Sequence, residues 1–339
     1  MLKYALPCLL FIVTLVLALS FDTKRDELKF IVPVGWPKPV YDVSKNKPTS
    51  DGFKLGRKLF FDSVLSRDGS VSCASCHVQN AGFTHSGHGL SKGMNGLKGK
   101  RNSLPLFNLA WNTSFMWDGG VNNIEVQPLA PITNPAEMNN TLDNIVKKLS
   151  ASPAYKTKFY LAFGDSAITG QRVLKAMSQF MVMFESFNSR YDKYIRHEQG
   201  GAMTAQELNG LKLFRTHCET CHTEPLFTNN SFRNIGLAPD PKLNDMGRMG
   251  ITGDTRDSLK FKVPSLRNVA ETYPYMHDGR FTTLMQVLDH YTSGVVQSPS
   301  LAKELQKNII LSADDKNDLI AFMQTLTDKE FLSDPRFKE

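Results

Sequence analysis

The sequence predicts an all-α protein with two halves related by internal duplication. Apolar residues recur at helical spacing, and no sustained two-residue alternation indicates a sheet. Two short motifs each occur twice: Gly56-Arg-Lys-Leu-Phe60 returns as Gly210-Leu-Lys-Leu-Phe214, and Phe115-Met-Trp-Asp-Gly-Gly120 returns as Tyr275-Met-His-Asp-Gly-Arg280. We therefore expect one domain over residues 21–200 and a second over 201–339, divided near Gly200-Gly201.

Three segments carry clear helix signals. One is an apolar stripe that we assign to the core, formed by Val173, Met177, Phe180, Met181 and Phe184. Thr204-Ala-Gln-Glu207 is a capping box that should open a helix. Ser312-Ala-Asp-Asp315 has a related signature, and we expect the helix after it to pack through Leu319, Met323 and Leu326.

Each half also contains a cysteine pair followed directly by histidine, Cys73-Ala-Ser-Cys76-His77 and Cys218-Glu-Thr-Cys221-His222. In this spacing two thioethers attach a haem and the adjacent imidazole ligates its iron. The two pairs account for every cysteine beyond residue 20, which disfavours zinc or thioredoxin-like chemistry. We therefore predict two cytochrome c-like domains with two covalently bound haem c groups, attached at Cys73, Cys76, Cys218 and Cys221, and with His77 and His222 as proximal ligands.

Residues 1–20 have the pattern of a secretory signal peptide. Lys3 supplies the positive start, an apolar run extends from Tyr4 to Leu17, and Ala18-Leu-Ser20 suits cleavage. We expect export to the periplasm. An uncleaved N-terminal membrane anchor is the alternative, because the apolar run approaches the length of a membrane span.

The segment after each Asp-Gly pair should cross the far side of each haem, because it holds the same place in both copies. In the first half it contains Gln127, Pro131 and Glu137; in the second it contains His290 and Tyr291. Pro131 and Tyr291 each lie thirteen residues beyond the Asp of the pair. Proline cannot ligate iron, whereas tyrosine and histidine can, so we predict an open first haem and a closed second haem.

These residues resemble the bacterial dihaem cytochrome c peroxidase family, which includes the dihaem enzyme that matures the quinone of methylamine dehydrogenase. The resemblance runs through Leu55-Gly-Arg-Lys-Leu-Phe-Phe-Asp62, Arg101-Asn102-Ser103, Trp117-Asp-Gly119, Pro135-Ala-Glu-Met138, Phe261-Lys-Val-Pro-Ser-Leu-Arg-Asn268 and His277-Asp-Gly279. It covers nearly the whole chain beyond the signal peptide.

The resemblance implies roles for individual residues. Glu137 would be the acid–base group of the peroxide site, beside Gln127 and Pro131; without the resemblance, Glu137 could equally be a solvated first-turn residue of the helix through Leu142, Ile145 and Leu149. Trp117 would relay electrons between the haems, with plain core packing as the alternative. A calcium site between the domains, formed by Asn102, Thr272 and Pro274, rests on the resemblance alone.

Two positions depart from the classical family pattern. Met94 stands where classical members have a histidine ligand to the first haem, with His85 and His88 as nearby alternatives. Tyr291 stands where they have a methionine ligand to the second, as it does in the quinone-maturing enzyme, and Met276 and His290 are its rivals. We therefore expect a first haem that is open without prior reduction.

The resulting prediction is a periplasmic peroxidase that reduces hydrogen peroxide to water with electrons from a small redox protein, a cytochrome c or a cupredoxin. The alternatives are an oxidase of residues in a partner protein, similar to the quinone-maturing enzyme, and a non-catalytic electron-transfer cytochrome. The net charge is +7, but the basic residues do not cluster in the sequence as they do in nucleic-acid-binding proteins. We therefore expect no nucleic-acid partner. A homodimer is also compatible with the sequence.

Overall fold

The computed structural model describes residues 26–85 and 87–339, so the predicted signal peptide lies outside the described residues. Helices dominate, as expected: α1 Ser50–Phe61, α2 Leu129–Thr133, α3 Leu142–Ser150, α4 Pro153–Phe163, α5 Gly170–Met181, α6 Arg190–Ile195, α7 Ala205–His217, α8 Met249–Thr252, α9 Leu284–Asp289, α10 Ala313–Gln324 and α11 Lys329–Ser333. Two short strands, β1 Phe232–Arg233 and β2 Phe261–Lys262, form an antiparallel pair that the sequence analysis missed. Strands of two residues are too short to show an alternating pattern.

The repeated glycine of the first motif explains how the main helices pack. A Cβ atom on Gly56 of α1 would lie 2.0 Å from the Ala176 carbonyl oxygen of α5, and one on Gly210 of α7 would lie 2.0 Å from the Asp318 carbonyl oxygen of α10. Both helix pairs therefore cross with their backbones in contact, which only glycine permits. In each pair one helix, α1 or α7, precedes a Cys-x-x-Cys-His motif in the chain, and the other helix, α5 or α10, packs against it.

The predicted helix signals are confirmed. The five residues of the apolar stripe are all at most 2% exposed, and they lie on α5 and just beyond it. Thr204 and Glu207 form a reciprocal capping box at the start of α7, and Ser312 and Asp315 form one at the start of α10. The three apolar residues predicted to anchor the last long helix are buried as well.

Packing crosses the predicted domain boundary in both directions. Phe331 and Phe337, near the C-terminus, join the aromatic core of the first half, and Tyr191 packs against Phe227 and Phe322 in the second. The division at Gly200-Gly201 stays a prediction.

Two asparagines meet at one serine between the halves. The Asn108 side chain donates to the Ser186 carbonyl oxygen and accepts from the Ser186 backbone N–H, while the Asn268 amide donates to the Ser186 hydroxyl. Both asparagines have a positive φ, 52° and 54°. Asparagine tolerates this conformation better than most residues, and its amide satisfies buried backbone groups.

Within residues 26–85 and 87–339, no helix combines the length and the apolar character that a membrane span requires.

Candidate haem sites

The first Cys-x-x-Cys-His motif folds into a tight turn that orients its histidine. Residues Cys73–Ser75 form a 3-10 turn, and the His77 backbone N–H donates to the Cys73 carbonyl oxygen at 2.9 Å. The His77 ring donates from Nδ1 to the Phe83 carbonyl oxygen at 2.6 Å, and burial lowers the pKa of His77 to about 4. The imidazole is therefore neutral and keeps Nε2 for a ligand, which is the arrangement that iron ligation requires.

The second motif repeats this arrangement at the end of α7. The His222 backbone N–H donates to the Cys218 carbonyl oxygen at 2.9 Å, and its Nδ1 donates to the Phe227 carbonyl oxygen at 3.1 Å. Burial lowers the pKa of His222 to about 4. Phe83 and Phe227, which provide the two carbonyls, both have a positive φ, so the two turns share an unusual backbone conformation.

The four motif cysteines fit thioether attachment better than thiolate chemistry. None of them forms a disulfide, and burial raises the pKa of both Cys73 and Cys218 to about 12. Thiols in such surroundings are neither good thiolate ligands nor reactive redox groups. Both motifs therefore fit a covalently bound haem.

Glu137 lies beside the first motif and is not part of a helix. It precedes α3, whose N-cap is Thr141, so the alternative of a solvated first-turn residue is wrong. Burial raises the pKa of Glu137, although a 2.8 Å hydrogen bond from the Asn134 amide to its Oε1 opposes the shift. Burial and then the Glu137 carboxylate raise the pKa of the Cys76 thiol, which puts the two side chains in one electrostatic environment.

The structure brings Pro131 and Met94 against the Glu137 segment, and Gln127 contacts Met116. The Met138 backbone N–H donates to the Pro131 carbonyl oxygen at 3.2 Å, and the N–H of the buried Met94 donates to the Glu137 carbonyl oxygen at 2.9 Å. Gln127 lies ten residues before Glu137, and its amide contacts the Met116 sulfur at 3.9 Å, which is a weak interaction that leaves the amide available. The predicted catalytic group and the residue at the classical ligand position therefore share one loop cluster.

The alternative first-haem ligands His85 and His88 form a pair with ring centroids 4.7 Å apart. The Nδ1 atom of His85 is buried without a hydrogen-bond partner among the described residues.

Trp117 lies where the two halves touch. Its buried indole N–H donates to the Asn102 carbonyl oxygen at 2.8 Å, and the Asn102 N–H donates in turn to the His277 carbonyl oxygen at 2.7 Å. The Trp117 carbonyl oxygen accepts from the Lys262 N–H at 2.7 Å. Trp117 is thus packed in the core and hydrogen-bonded to the second half, and its role as an electron relay stays a prediction.

Tyr291 lies beside the second motif in a π-helical turn, residues His290–Gly294, that follows α9. Burial, followed by the Cys218 and Cys221 thiols, raises the pKa of its phenol well above the usual range. The rival His290 is engaged elsewhere, because its Nε2 donates to the Ile235 carbonyl oxygen at 2.9 Å. Single π-turns are frequent at functional sites, and this one separates the directions of two adjacent side chains.

The three residues of the predicted calcium site lie at the junction of the halves. The Asn102 amide donates to the Gly89 carbonyl oxygen at 3.1 Å, the Thr272 methyl lies close to Gly82, and Pro274 is buried after a cis peptide bond. Among the described residues, no cluster of three or more His, Cys, Asp or Glu side chains is arranged to hold a metal ion. Calcium would therefore depend on Asn102 and on carbonyl oxygens.

Sequence reasoning missed an ionic network next to these residues. Arg101 donates to Asp245 from Nε and Nη2 at 2.6 and 2.8 Å, and to Asp118 at 2.5 Å. Its guanidinium also lies 5.7 Å from the Phe261 ring centroid. Asp118 was singled out only as part of the repeated Asp-Gly pair, and nothing in the sequence connects it to Asp245.

Known proteins are similar to this chain along most of its length. A family model described as di-haem cytochrome c peroxidase matches residues 50–200. The methylamine utilization protein MauG of Methylorubrum extorquens is 38% identical over 86% of this chain and 82% of its own, and the cytochrome c551 peroxidase of Nitrosomonas europaea is 33% identical over 86% and 84%. The crystal structure of a MauG-like protein associated with microbial copper homeostasis superposes with a TM-score of 0.81 at 32% identity, covering 92% of this chain and 99% of that one.

Proposed function

Because the chain belongs to the di-haem cytochrome c peroxidase family, we propose that it reduces hydrogen peroxide to water at the haem attached at Cys73 and Cys76, with electrons that enter through the haem attached at Cys218 and Cys221. The observation that carries this proposal is the half-buried Glu137 carboxyl, which lies beside the first motif and whose pKa is raised by desolvation. A cytochrome c or a cupredoxin in the periplasm would be the donor. The bound haem supplies the iron that binds peroxide and accepts the electrons.

Glu137 would move the proton during peroxide cleavage. Its Oε1 accepts from Asn134, which leaves Oε2 free to take a proton from the near oxygen of the peroxide and return it to the departing oxygen. Burial raises the pKa of this carboxyl, which favours its protonated form relative to an exposed glutamate. Gln127 would hold the peroxide by hydrogen bonds without competing as a base.

The two halves would have separate roles within a duplicated architecture. The paired helices with their contact glycines, and the matching histidine–carbonyl hydrogen bonds, support the duplication. In this proposal Tyr291 is the sixth ligand of the second haem, since its hydroxyl makes no hydrogen bond to another described residue and lies beside Cys218 and Cys221. Trp117 would relay electrons between the haems. A calcium ion at Asn102, Thr272 and Pro274 would stabilise the junction of the halves. A homodimer stays a prediction.

A second candidate function is oxidation of residues in a partner protein, as in the quinone-maturing enzyme. The observation that favours it is Tyr291, because a phenolate ligand stabilises ferric and higher states of iron relative to methionine. The 38% identity to a methylamine utilization protein supports the same reading.

A donor assay with the purified dihaem protein separates these functions. We expect peroxide to change the Soret band of the first haem and reduced cytochrome c or cupredoxin to be oxidised continuously over many turnovers. A Soret change without sustained donor oxidation would favour the partner-protein oxidase. No response to peroxide at either haem would contradict both and leave an electron-transfer cytochrome.

A further inference from the structure

Lys262 is a buried lysine without an anionic partner. Its side chain is only 5% exposed, and its Nζ donates to the neutral Asn230 amide oxygen at 2.5 Å. No carboxylate of the described residues lies within 4.0 Å of this ammonium, and burial lowers the pKa of Lys262 to about 8. A charge withdrawn from water normally needs an opposite charge to offset its lost hydration.

The position of Lys262 is fixed between Trp117 and the second Cys-x-x-Cys-His motif. Its backbone N–H donates to the Trp117 carbonyl oxygen at 2.7 Å. Its partner Asn230 follows Asn229, whose N–H donates to the Cys221 carbonyl oxygen at 2.9 Å. Two residues further along the chain from Lys262, the Pro264 backbone interacts with the His222 ring.

A second cation lies near the same motif but already has a carboxylate. Arg233 interacts with the Cys221 thiol, and its guanidinium pairs with Glu304 at 3.6 Å. Arg233 and Lys262 lie on the paired strands β1 and β2, where Lys262 is opposite Phe232. Of these two cations, therefore, only Lys262 lacks an acidic partner among the described residues.

We propose that Lys262, whose backbone is bonded to Trp117, would bind a propionate of the haem attached at Cys218 and Cys221. A haem carries two propionates, and a carboxylate is the group that a buried ammonium with one neutral contact requires. Lys262 then acts as a positioning residue that holds one edge of the second haem toward the junction. Its charge also favours the reduced form of the second iron, in opposition to the Tyr291 phenolate.

The test is a potentiometric titration of the intact dihaem protein, followed by EPR so that the two irons are distinguished. In Lys262→Met the ratio of reduced to oxidised second haem at a fixed potential should fall roughly tenfold, the size expected for one unit charge in a buried site. The first haem should change less. Lys260→Met is the matched control, because Lys260 already pairs with Asp257 at 3.1 Å, and it should leave both ratios near their original values.

Two further variants keep the inference testable if Lys262→Met assembles poorly. Lys262→Arg should restore the original ratio, and Asn230→Asp should lower it by giving Lys262 a competing carboxylate. Loss of the second haem in Lys262→Met with retention in Lys262→Arg would also support the proposal. An unchanged second-haem ratio in Lys262→Met, or a larger change at the first haem, would overturn it.

This inference rests on the proposed haem attachment but not on peroxidase activity. A count of covalently bound haem by pyridine haemochrome and intact mass separates the two failures. An unsubstituted chain that carries fewer than two haems contradicts the proposed function itself, whereas two haems with an unaltered potential in Lys262→Met contradict only the role of Lys262.

Discussion

The two halves orient their motif histidines alike and differ on the other side of each motif. In both halves, a glycine lets two helices cross with their backbones in contact. A phenylalanine with a positive φ then accepts, through its carbonyl oxygen, a hydrogen bond from Nδ1 of the motif histidine. Beside the first motif lies a carboxyl with a raised pKa, Glu137; beside the second lies the partly buried phenol of Tyr291. In the proposed function, the short segment that follows each Asp-Gly pair therefore decides whether a half carries out the reaction or supplies electrons.

The largest expected effect concerns the acid–base group of the first half. Glu137→Gln keeps the size of the side chain but cannot shuttle a proton, so peroxide turnover should fall by about 10²–10⁴-fold. Steady-state oxidation of a reduced cytochrome c measures this loss. Glu185→Gln is the matched control. Burial raises the pKa of Glu185 as well, to about 7, but Glu185 has no role in the proposed peroxide chemistry, and its carboxylate accepts a hydrogen bond from the Ile31 N–H.

Equal losses in Glu137→Gln and Glu185→Gln would contradict a specific role for Glu137. Undiminished turnover in Glu137→Gln would remove the chemical difference that we draw between the halves.

The next effect concerns stability. The two halves place different types of residue directly before Asn108 and Asn268, the asparagines that meet at Ser186. Phe107 precedes Asn108, whereas the fully buried Arg267 precedes Asn268 and pairs with Asp192 at 2.7 Å. Arg267→Met strands a buried carboxylate, so the free energy of unfolding should fall by about 3–5 kcal/mol. Phe107→Met, which keeps an apolar contact of similar size, should cost less than about 1.5 kcal/mol.

Guanidinium unfolding of the dihaem protein, followed by far-UV circular dichroism, compares these variants. The double variant Arg267→Met with Asp192→Asn should regain part of the lost stability because it removes the unpaired charge. If Arg267→Met is no more destabilising than Phe107→Met, the ion pair is not what holds this part of the second half.

The smallest effect that we predict is a change of potential at the second haem. Tyr291→Met replaces a phenolate, which favours ferric iron, with a thioether, which favours ferrous iron, so the midpoint potential of that haem should rise. A spectroelectrochemical titration measures the shift. His290→Asn is the control, since His290 donates to the Ile235 carbonyl oxygen, and it should shift the potential less. A larger shift in His290→Asn than in Tyr291→Met would exchange their roles.

Much of this organisation could be read from the sequence because the signals are local. The spacing in each Cys-x-x-Cys-His motif places three side chains on one turn, and the capping boxes at Thr204 and Ser312 start helices within four residues. The repeated Gly56 and Gly210 predicted a duplication, but the sequence did not give the physical reason for a glycine at these positions. That reason lies in the Ala176 and Asp318 carbonyls, more than one hundred residues away in each case.

Glu137 shows where sequence reasoning stopped. Its neighbours in sequence allowed a solvated helical position as readily as a catalytic one, and only the packed structure partly buries it and brings Met94 against its backbone. Lys262 is a second example, because nothing in the sequence distinguishes it from the other basic residues. Only the structure shows that it is buried without an acidic partner among the described residues.

The sequence by itself determined the cofactor motifs, the helical character and the order of the two halves, because each depends on residues close together in the chain. Only the tertiary structure decided which carboxyl lies beside the first motif with a raised pKa, which side chain lies beside the second, and which cation lies between Trp117 and Cys221. Those properties depend on desolvation and on contacts between distant segments, and neither has a local signature in the sequence.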